Sequence, residues 1–242
     1  LKIRSKMGLN LTKNYSVNFS IPKRTKQQIK FIIIHYTGMK KEIAAIKRLT
    51  EPGTKVSAHY FIKNNGDIIS LVPDLYEAWH AGKSKWGSYN LINKYSIGIE
   101  ISNPGHNFIY KNFNSRQINS LKKLLKRLIK NYQIKTKNIL GHSDIAPNRK
   151  IDPGEKFPWK KLAKNNLSHW HSLNEKTIKK LRNKKISLIN ENQFIKNLYK
   201  IGYAKYDRKS IIKAFQRKYR QSLINGKVDE ECFVISKNLL KS

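Results

Sequence analysis

A chain of 242 residues is long enough to bury a sizeable core, as one large domain or as one medium and one small domain. Its 50 Lys and Arg against 15 Asp and Glu leave a net charge of +35, spread along the chain: 32 basic and 9 acidic residues precede His169, and 18 and 6 follow from it. A single cysteine, Cys232, excludes an intramolecular disulfide, and no apolar run reaches the length of a membrane span. A uniformly basic surface favours polyanions such as nucleic acid, anionic membrane or acidic wall polymer. The abundance of Lys, Ile and Asn is equally what coding from an A- and T-rich genome produces. Leu1 in place of a starting methionine agrees with a processed precursor.

In chain order, residues 1–27 are polar and basic with scattered apolar positions, and are expected to form a peripheral arm. The run Phe31-Ile32-Ile33-Ile34-His35 has the pattern of a buried strand ending on a histidine. Ile43, Ile46 and Leu49 recur at helical spacing before Glu51-Pro52-Gly53 stops that helix. Residues 56–63 read as a second strand, joined through the hairpin signal Asn64-Asn65-Gly66-Asp67 to a third over 68–72. The segment 77–86 is rich in aromatic and small residues. Its Trp79 and Trp86 suit a sugar or planar ligand if exposed and anchor the core if buried. Residues 96–101 form a fourth strand, apolar but for Glu100, a carboxylate that is costly to bury unless it is paired or has a task. With so many lysines, an ion pair is the plain alternative.

Ser115 is expected to cap a long helix with Ile118, Leu121, Leu124, Leu125, Leu128, Ile129 and Tyr132 as its apolar stripe. A short strand at 138–140 leads into His142. After Trp159 the composition turns polar around His169-Trp170-His171, and from Ile186 an apolar helical pattern returns. The expected fold is α/β, a central mixed β-sheet flanked by helices plus a small C-terminal helical domain. Its divisions are an arm at 1–27, a main domain at 28–165, a linker at 166–185 and the helical domain at 186–242.

His142 and Asp152 lie ten residues apart between Gly141 and Gly154, with Lys150 two residues before the aspartate. Imidazole and carboxylate are zinc ligands, and a catalytic zinc takes three protein ligands and keeps one position open. His35, at the C-terminal end of its strand, where α/β folds commonly place functional residues, supplies the third. Spacing alone leaves this reading level with a simpler one, in which His142 and Asp152 brace a proline-rich loop. The His169–His171 pair could also bind metal, but in a linker such a pair is more often incidental.

Five stretches carry a resemblance: Ile-Ile-Ile-His-Tyr-Thr (32–37), Ser-Ala-His-Tyr-Phe-Ile (57–62), Ala-Trp-His-Ala-Gly-Lys-Ser (78–84), Ser-Ile-Gly-Ile-Glu-Ile (96–101), and Gly-His-Ser-Asp-Ile-Ala-Pro-Asn-Arg-Lys-Ile-Asp-Pro-Gly (141–154). In this order the chain resembles the type 2 zinc-dependent N-acetylmuramoyl-L-alanine amidases, relatives of the peptidoglycan-recognition proteins, over residues 28–162. The resemblance implies one Zn2+ per chain on His35, His142 and Asp152, Glu100 as catalytic carboxylate and Lys150 as oxyanion stabiliser. Trp79, His80 and Asn103 are the expected substrate contacts, and His59 is expected to be structural. The implied reaction is hydrolysis of the amide between N-acetylmuramic acid, the 1,6-anhydro form included, and L-alanine in peptidoglycan or muropeptides.

Residues 214–220 and 225–229 resemble a small three-helix peptidoglycan-binding domain. That pairing implies an envelope, periplasmic or secreted enzyme, with a cytoplasmic recycling enzyme as the alternative. A monomer with no specific nucleic-acid partner is expected, and an anionic envelope surface would suit the charge. Two rival readings are a wall-binding module without catalysis and a nucleic-acid-binding protein. Retention of every ligand and of the general base counts against the first, and the second rests on charge alone. Two separable domains also imply that deleting 186–242 leaves the catalytic site intact.

Overall fold

The structure, a computed structural model, describes residues 2–4 and 10–241; the positions of the expected arm at 1 and 5–9, and residue 242, lie outside the described residues. The strands are β1 (Lys2–Arg4), β2 (Asn10–Lys13), β3 (Phe19–Ser20), β4 (Phe31–Tyr36), β5 (Tyr60–Ile62), β6 (Ile68–Ser70), β7 (Glu77–Ala78), β8 (Lys85–Trp86), β9 (Tyr89–Asn90), β10 (Ser96–Ile101) and β11 (Ile139–Gly141). The helices are α1 (Glu42–Thr50), α2 (Ser115–Tyr132), α3 (His142–Ile145), α4 (Trp159–Ala163), α5 (Glu175–Lys179), α6 (Leu188–Ile201), α7 (Arg208–Tyr219) and α8 (Glu230–Leu239). The two richest apolar runs, β4 and β10, pair in parallel inside a seven-stranded sheet of order β1-β2-β6-β5-β10-β4-β11. β5 and β11 extend the parallel centre, and β6 turns antiparallel on β5, so the sheet is mixed, as expected.

Alternation along the central strands separates two cores. Ile32 and Ile34 of β4, Ile97, Ile99 and Ile101 of β10 and Ile139 of β11 face α2, whose Leu121, Leu124, Leu125 and Leu128 are fully buried against them. Each such leucine contributes about 1.5–3 kcal/mol. On the other face, Phe31, Ile33, Leu140 and Ile145 share one core with Phe194, Leu198, Phe215 and Ile235 of α6–α8. Cys232 is buried in the same core. The expected linker takes part as well: Ile178 of α5 lies in this core and Leu167 in the α2 core. The stretch 166–185 therefore packs into both cores.

Three local expectations change. The arm is not merely peripheral: β2 adds in parallel to β6, and the Asn14 and Ser16 amides donate to the Ser70 and Leu71 carbonyls (3.1 and 2.8 Å). These contacts are made by backbone and need no apolar pattern. The cap of α2 is Asn114, not Ser115: its side chain accepts from the Gln117 amide (3.0 Å) while Gln117 Oε1 accepts from the Asn114 amide (3.1 Å). On α1 the buried residues are Ala45 and Leu49, whereas Ile43 is 82 % exposed, one turn beyond the edge of the core.

Candidate active site and metal centre

Strand register brings the chemistry together. Glu100 of β10 lies opposite His35 of β4, and Gly141 of β11 lies opposite Ile34, which puts His142 level with both at the C-terminal ends of three parallel strands. Since Ile97, Ile99 and Ile101 take the α2 face, Ser96, Gly98 and Glu100 take the other. The Ser143 amide donates to the Asp152 carbonyl (2.9 Å), tying the loop that carries the aspartate to α3. A cavity of about 490 Å³ opens over these strand ends, lined by His35, Glu100, His142, Lys150 and Asp152 together with Trp79 and Arg48.

Three donor atoms converge there. His35 Nδ1 lies 3.0 Å from His142 Nδ1, and each lies 3.1 Å from Asp152 Oδ2. All three residues are buried, and among the described residues they form the one such donor cluster. Hydrogen bonds on the far side of each ring fix the tautomers. The Ser96 hydroxyl donates to the Ile92 carbonyl (2.7 Å), so its oxygen accepts from His80 Nε2–H (3.1 Å). His80 Nδ1 then accepts from His35 Nε2–H (3.0 Å), leaving His35 Nδ1 bare. His142 Nε2–H donates to the Ala81 carbonyl (3.2 Å), leaving its Nδ1 bare as well.

Two bare nitrogens and a carboxylate oxygen at such distances repel one another unless a cation lies among them. A tetrahedral ion with bonds of about 2.0–2.1 Å separates its ligand atoms by roughly 3.3–3.4 Å, within a few tenths of an ångström of this triangle. Donor chemistry and spacing thus both fit a metal. Burial, reinforced by the neighbouring His142, pulls His35 down to about 4, which keeps it neutral and available as a ligand at ordinary pH.

Glu100 is the other perturbed group. Burial, then the charge of Asp152, pushes its carboxyl up to about 8, with Lys150 opposing. Its Oε2 is buried and has no hydrogen-bond partner. Such a carboxyl is poised to exchange a proton.

Of the expected substrate contacts, Trp79 lines the cavity, held by its Nε1–H on Ser20 Oγ (2.8 Å). His80 borders the cavity, but its two ring nitrogens are taken by His35 and Ser96, so it braces a donor and has no free edge for a sugar. Asn103 is buried away from the cavity: its Nδ2 donates to the Lys111 carbonyl (2.8 Å) and its Oδ1 accepts from the Gly105 amide (3.1 Å), which shapes the 103–111 loop. Trp86 is a core residue against Tyr203, and among the described residues the His169–His171 pair joins no donor cluster of three. His59 is structural in the sense expected, its Nδ1 accepting from the Gly98 amide (3.0 Å).

Sequence reasoning missed Ser96 and Arg24. Arg24, one cation among many in the basic arm, is buried and donates to the Asn93, Ser96, Asp74 and Tyr76 carbonyls (2.9, 2.7, 2.6 and 2.8 Å) beneath the site. Gly98 did carry a signal: a Cβ there would lie 2.4 Å from His80 Cγ, so the glycine makes room for the bracing ring.

The profile described as N-acetylmuramoyl-L-alanine amidase matches residues 25–155. The chain is 33 % identical over 232 residues to N-acetylmuramoyl-L-alanine amidase AmiD of Escherichia coli, covering 88 % of this chain and 83 % of that one. It is 40 % identical over 105 residues to 1,6-anhydro-N-acetylmuramyl-L-alanine amidase AmpD of the same organism, covering 43 % of this chain and 55 % of that one. The solved complex of E. coli AmiD with anhydro-N-acetylmuramic acid-L-Ala-D-γ-Glu-L-Lys superposes with a TM-score of 0.79 over 92 % of each chain, at 32 % identity. AMPDH3 from Pseudomonas aeruginosa, in complex with anhydromuramic pentapeptide, gives 0.78 at 30 % identity over 93 % of this chain and 96 % of that one.

Proposed function

The chain belongs to the N-acetylmuramoyl-L-alanine amidase family, and from that premise we propose that it hydrolyses the amide between N-acetylmuramic acid and L-alanine with one zinc held by His35, His142 and Asp152. The observation that carries this reading is the convergence of those three donors with Glu100 in register beside them. Zinc in this place supplies a Lewis acid for the scissile carbonyl and lowers the pKa of the attacking water. The chain's own residues do the rest. Glu100 takes a proton from the water as its oxygen bonds to the carbonyl carbon, and returns it to the alanine nitrogen as the C–N bond breaks. The products are a free lactyl carboxylate and a free peptide amine. A bound cation would draw the Glu100 value down from about 8 toward neutrality, the range that suits a group which accepts and then returns a proton. The Lys150 ammonium, lining the same cavity, stabilises the oxyanion as it develops.

The 1,6-anhydro form, named for AmpD and present in the ligands of the AmiD and AMPDH3 structures, is the substrate to test first. The place of action follows the substrate, the envelope, and cell fractionation tests it. The decisive measurement is mass spectrometry of products from sacculi and anhydro-muropeptides, with and without a chelator. We expect release of intact stem peptides, abolished by chelation and restored by zinc. Glu100→Gln should keep its zinc and lose about 10²–10⁴ in single-turnover rate. Near wild-type cleavage by that variant would place the general base elsewhere. Undiminished zinc binding by His142→Ala would remove the ligand assignment.

A further inference from the structure

The turn carrying His142 is held from behind by residues outside the matched segment 25–155. Asp144, two residues after His142, is 1 % exposed, and both its oxygens are taken. Oδ2 accepts from the Gly141 amide (2.8 Å) and Lys218 Nζ (3.2 Å), and Oδ1 accepts from the Tyr203 hydroxyl (2.8 Å). Lys218, on α7, is as deeply buried; it also donates to the Ile139 carbonyl (3.0 Å) and lies 4.6 Å from the centre of the Trp159 ring. Tyr203 follows α6 directly and is set by a bridge to Trp86, with the Gly87 amide donating to the Gly202 carbonyl (2.6 Å). At Gly202, φ is 132° and a Cβ would lie 2.4 Å from the Trp86 ring, so this approach needs a glycine.

Burying an ion pair gains little over apolar packing of the same shape, because desolvating both charges offsets their attraction. What the pair supplies is direction. The four-residue α3 is far too short to keep its own geometry. Three donors on one carboxylate fix it in orientation as apolar contacts would not. Asp144, Tyr203 and Lys218 do not line the catalytic cavity, so they act through His142 and not on substrate.

We propose that the C-terminal helical layer is a positioning device for the metal centre, with Lys218 and Tyr203 holding His142 in place through Asp144. This rests on His142 being a metal ligand, as proposed above. The test uses the full chain with Tyr203→Phe, which removes one oxygen, and Lys218→Met as a second variant. Zinc affinity is measured by competition with a chromogenic chelator, ligand geometry by the visible spectrum of the cobalt form, and stability by the melting temperature of the metal-free protein. We expect Tyr203→Phe to fold, to bind zinc about 10–100-fold more weakly, and to shift the cobalt bands, with kcat falling more than KM. A lower melting temperature with unchanged zinc affinity and cobalt spectrum would overturn the proposal, leaving a brace for the fold alone. His142→Ala separates the two ideas. If it loses zinc while both other variants bind normally, the ligand assignment stands and this inference falls; if it binds normally, both fall.

Discussion

Which ring nitrogen is left bare separates the histidines. His35 and His142 turn bare Nδ1 atoms to Asp152, and His35 does so because His80 and Ser96 fix its proton on the opposite side. His80→Ala should therefore weaken zinc affinity about 10–100-fold with Glu100 untouched, measured by chelator competition. Unchanged affinity would mean that the ring is only a wall. His59 shows the opposite use. With Nδ1 accepting from the Gly98 amide, its proton sits on Nε2 facing the Tyr76 carbonyl (3.0 Å), and there is no room for a second one. Burial, then the Arg24 charge, holds its pKa well below 6.5. The folded state refuses a proton that the unfolded state takes, so stability is complete above about pH 6.5 and falls below it. The slope is about 1.4 kcal/mol per pH unit for each such group. His59→Gln in the metal-free protein should flatten the slope below pH 6.5 by up to that amount, whatever it does to the maximum; an unaltered slope would assign the acid sensitivity elsewhere. The sequence motifs named His35, Glu100, His142, Lys150 and Asp152 as one set, and the fold gathers them around one cavity. Strand ends and turns pointed to His35, His142 and Asp152 without deciding between a metal site and a braced loop; the resemblance carried by the five motifs is what joined Glu100 and Lys150 to them. The roles of His80 and Asn103 were not legible, since a hydrogen-bond partner across the sheet leaves no mark on local spacing.

At the scale of the element, the apolar pattern spoke clearly where burial was one-sided, as on α2, or nearly complete, as on β4 and β10. The stripe of α2 and the runs of β4 and β10 could be read directly, and β10 held more than its apolar content suggested. Its Ser96, Gly98 and Glu100 are the other half of an ordinary alternation, Ser96 and Gly98 facing His80 and Glu100 facing the cavity. β2 and β3 were hidden because short strands held by backbone hydrogen bonds need no apolar pattern. The reciprocal bonds of Asn114 and Gln117 at the start of α2 make a sharp test of the boundary. Asn114→Ala should cost about 1 kcal/mol in urea unfolding, and Ser115→Ala a small fraction of that. The reverse order would return the cap to Ser115.

Over the whole molecule, apolar cores cover both faces of the sheet, and the helical layer forms the one opposite α2. Sequence suggested a tethered module because 160–185 is polar and Lys/Asn-rich. Yet Leu167 and Ile178 anchor that stretch, and composition averaged over a window conceals two such residues. Truncation after residue 185 would bare Phe31, Ile33, Leu140 and Ile145 together, so the shortened chain should aggregate or lose cooperative unfolding. Calorimetry of the full chain should show one transition. A soluble, zinc-binding 1–185 fragment would support two separable domains.

The burial of Cys232 makes that interior observable. Its thiol, the only one in the chain, lies within the helical layer, and burial pushes its pKa up to about 12. An alkylating reagent can reach it only when α8 comes away from α6 and α7, so the rate of labelling is a clock for opening of the helical layer, already present in the wild-type chain. If the layer and the metal centre are mechanically joined, zinc bound on the far side of α3 slows the clock.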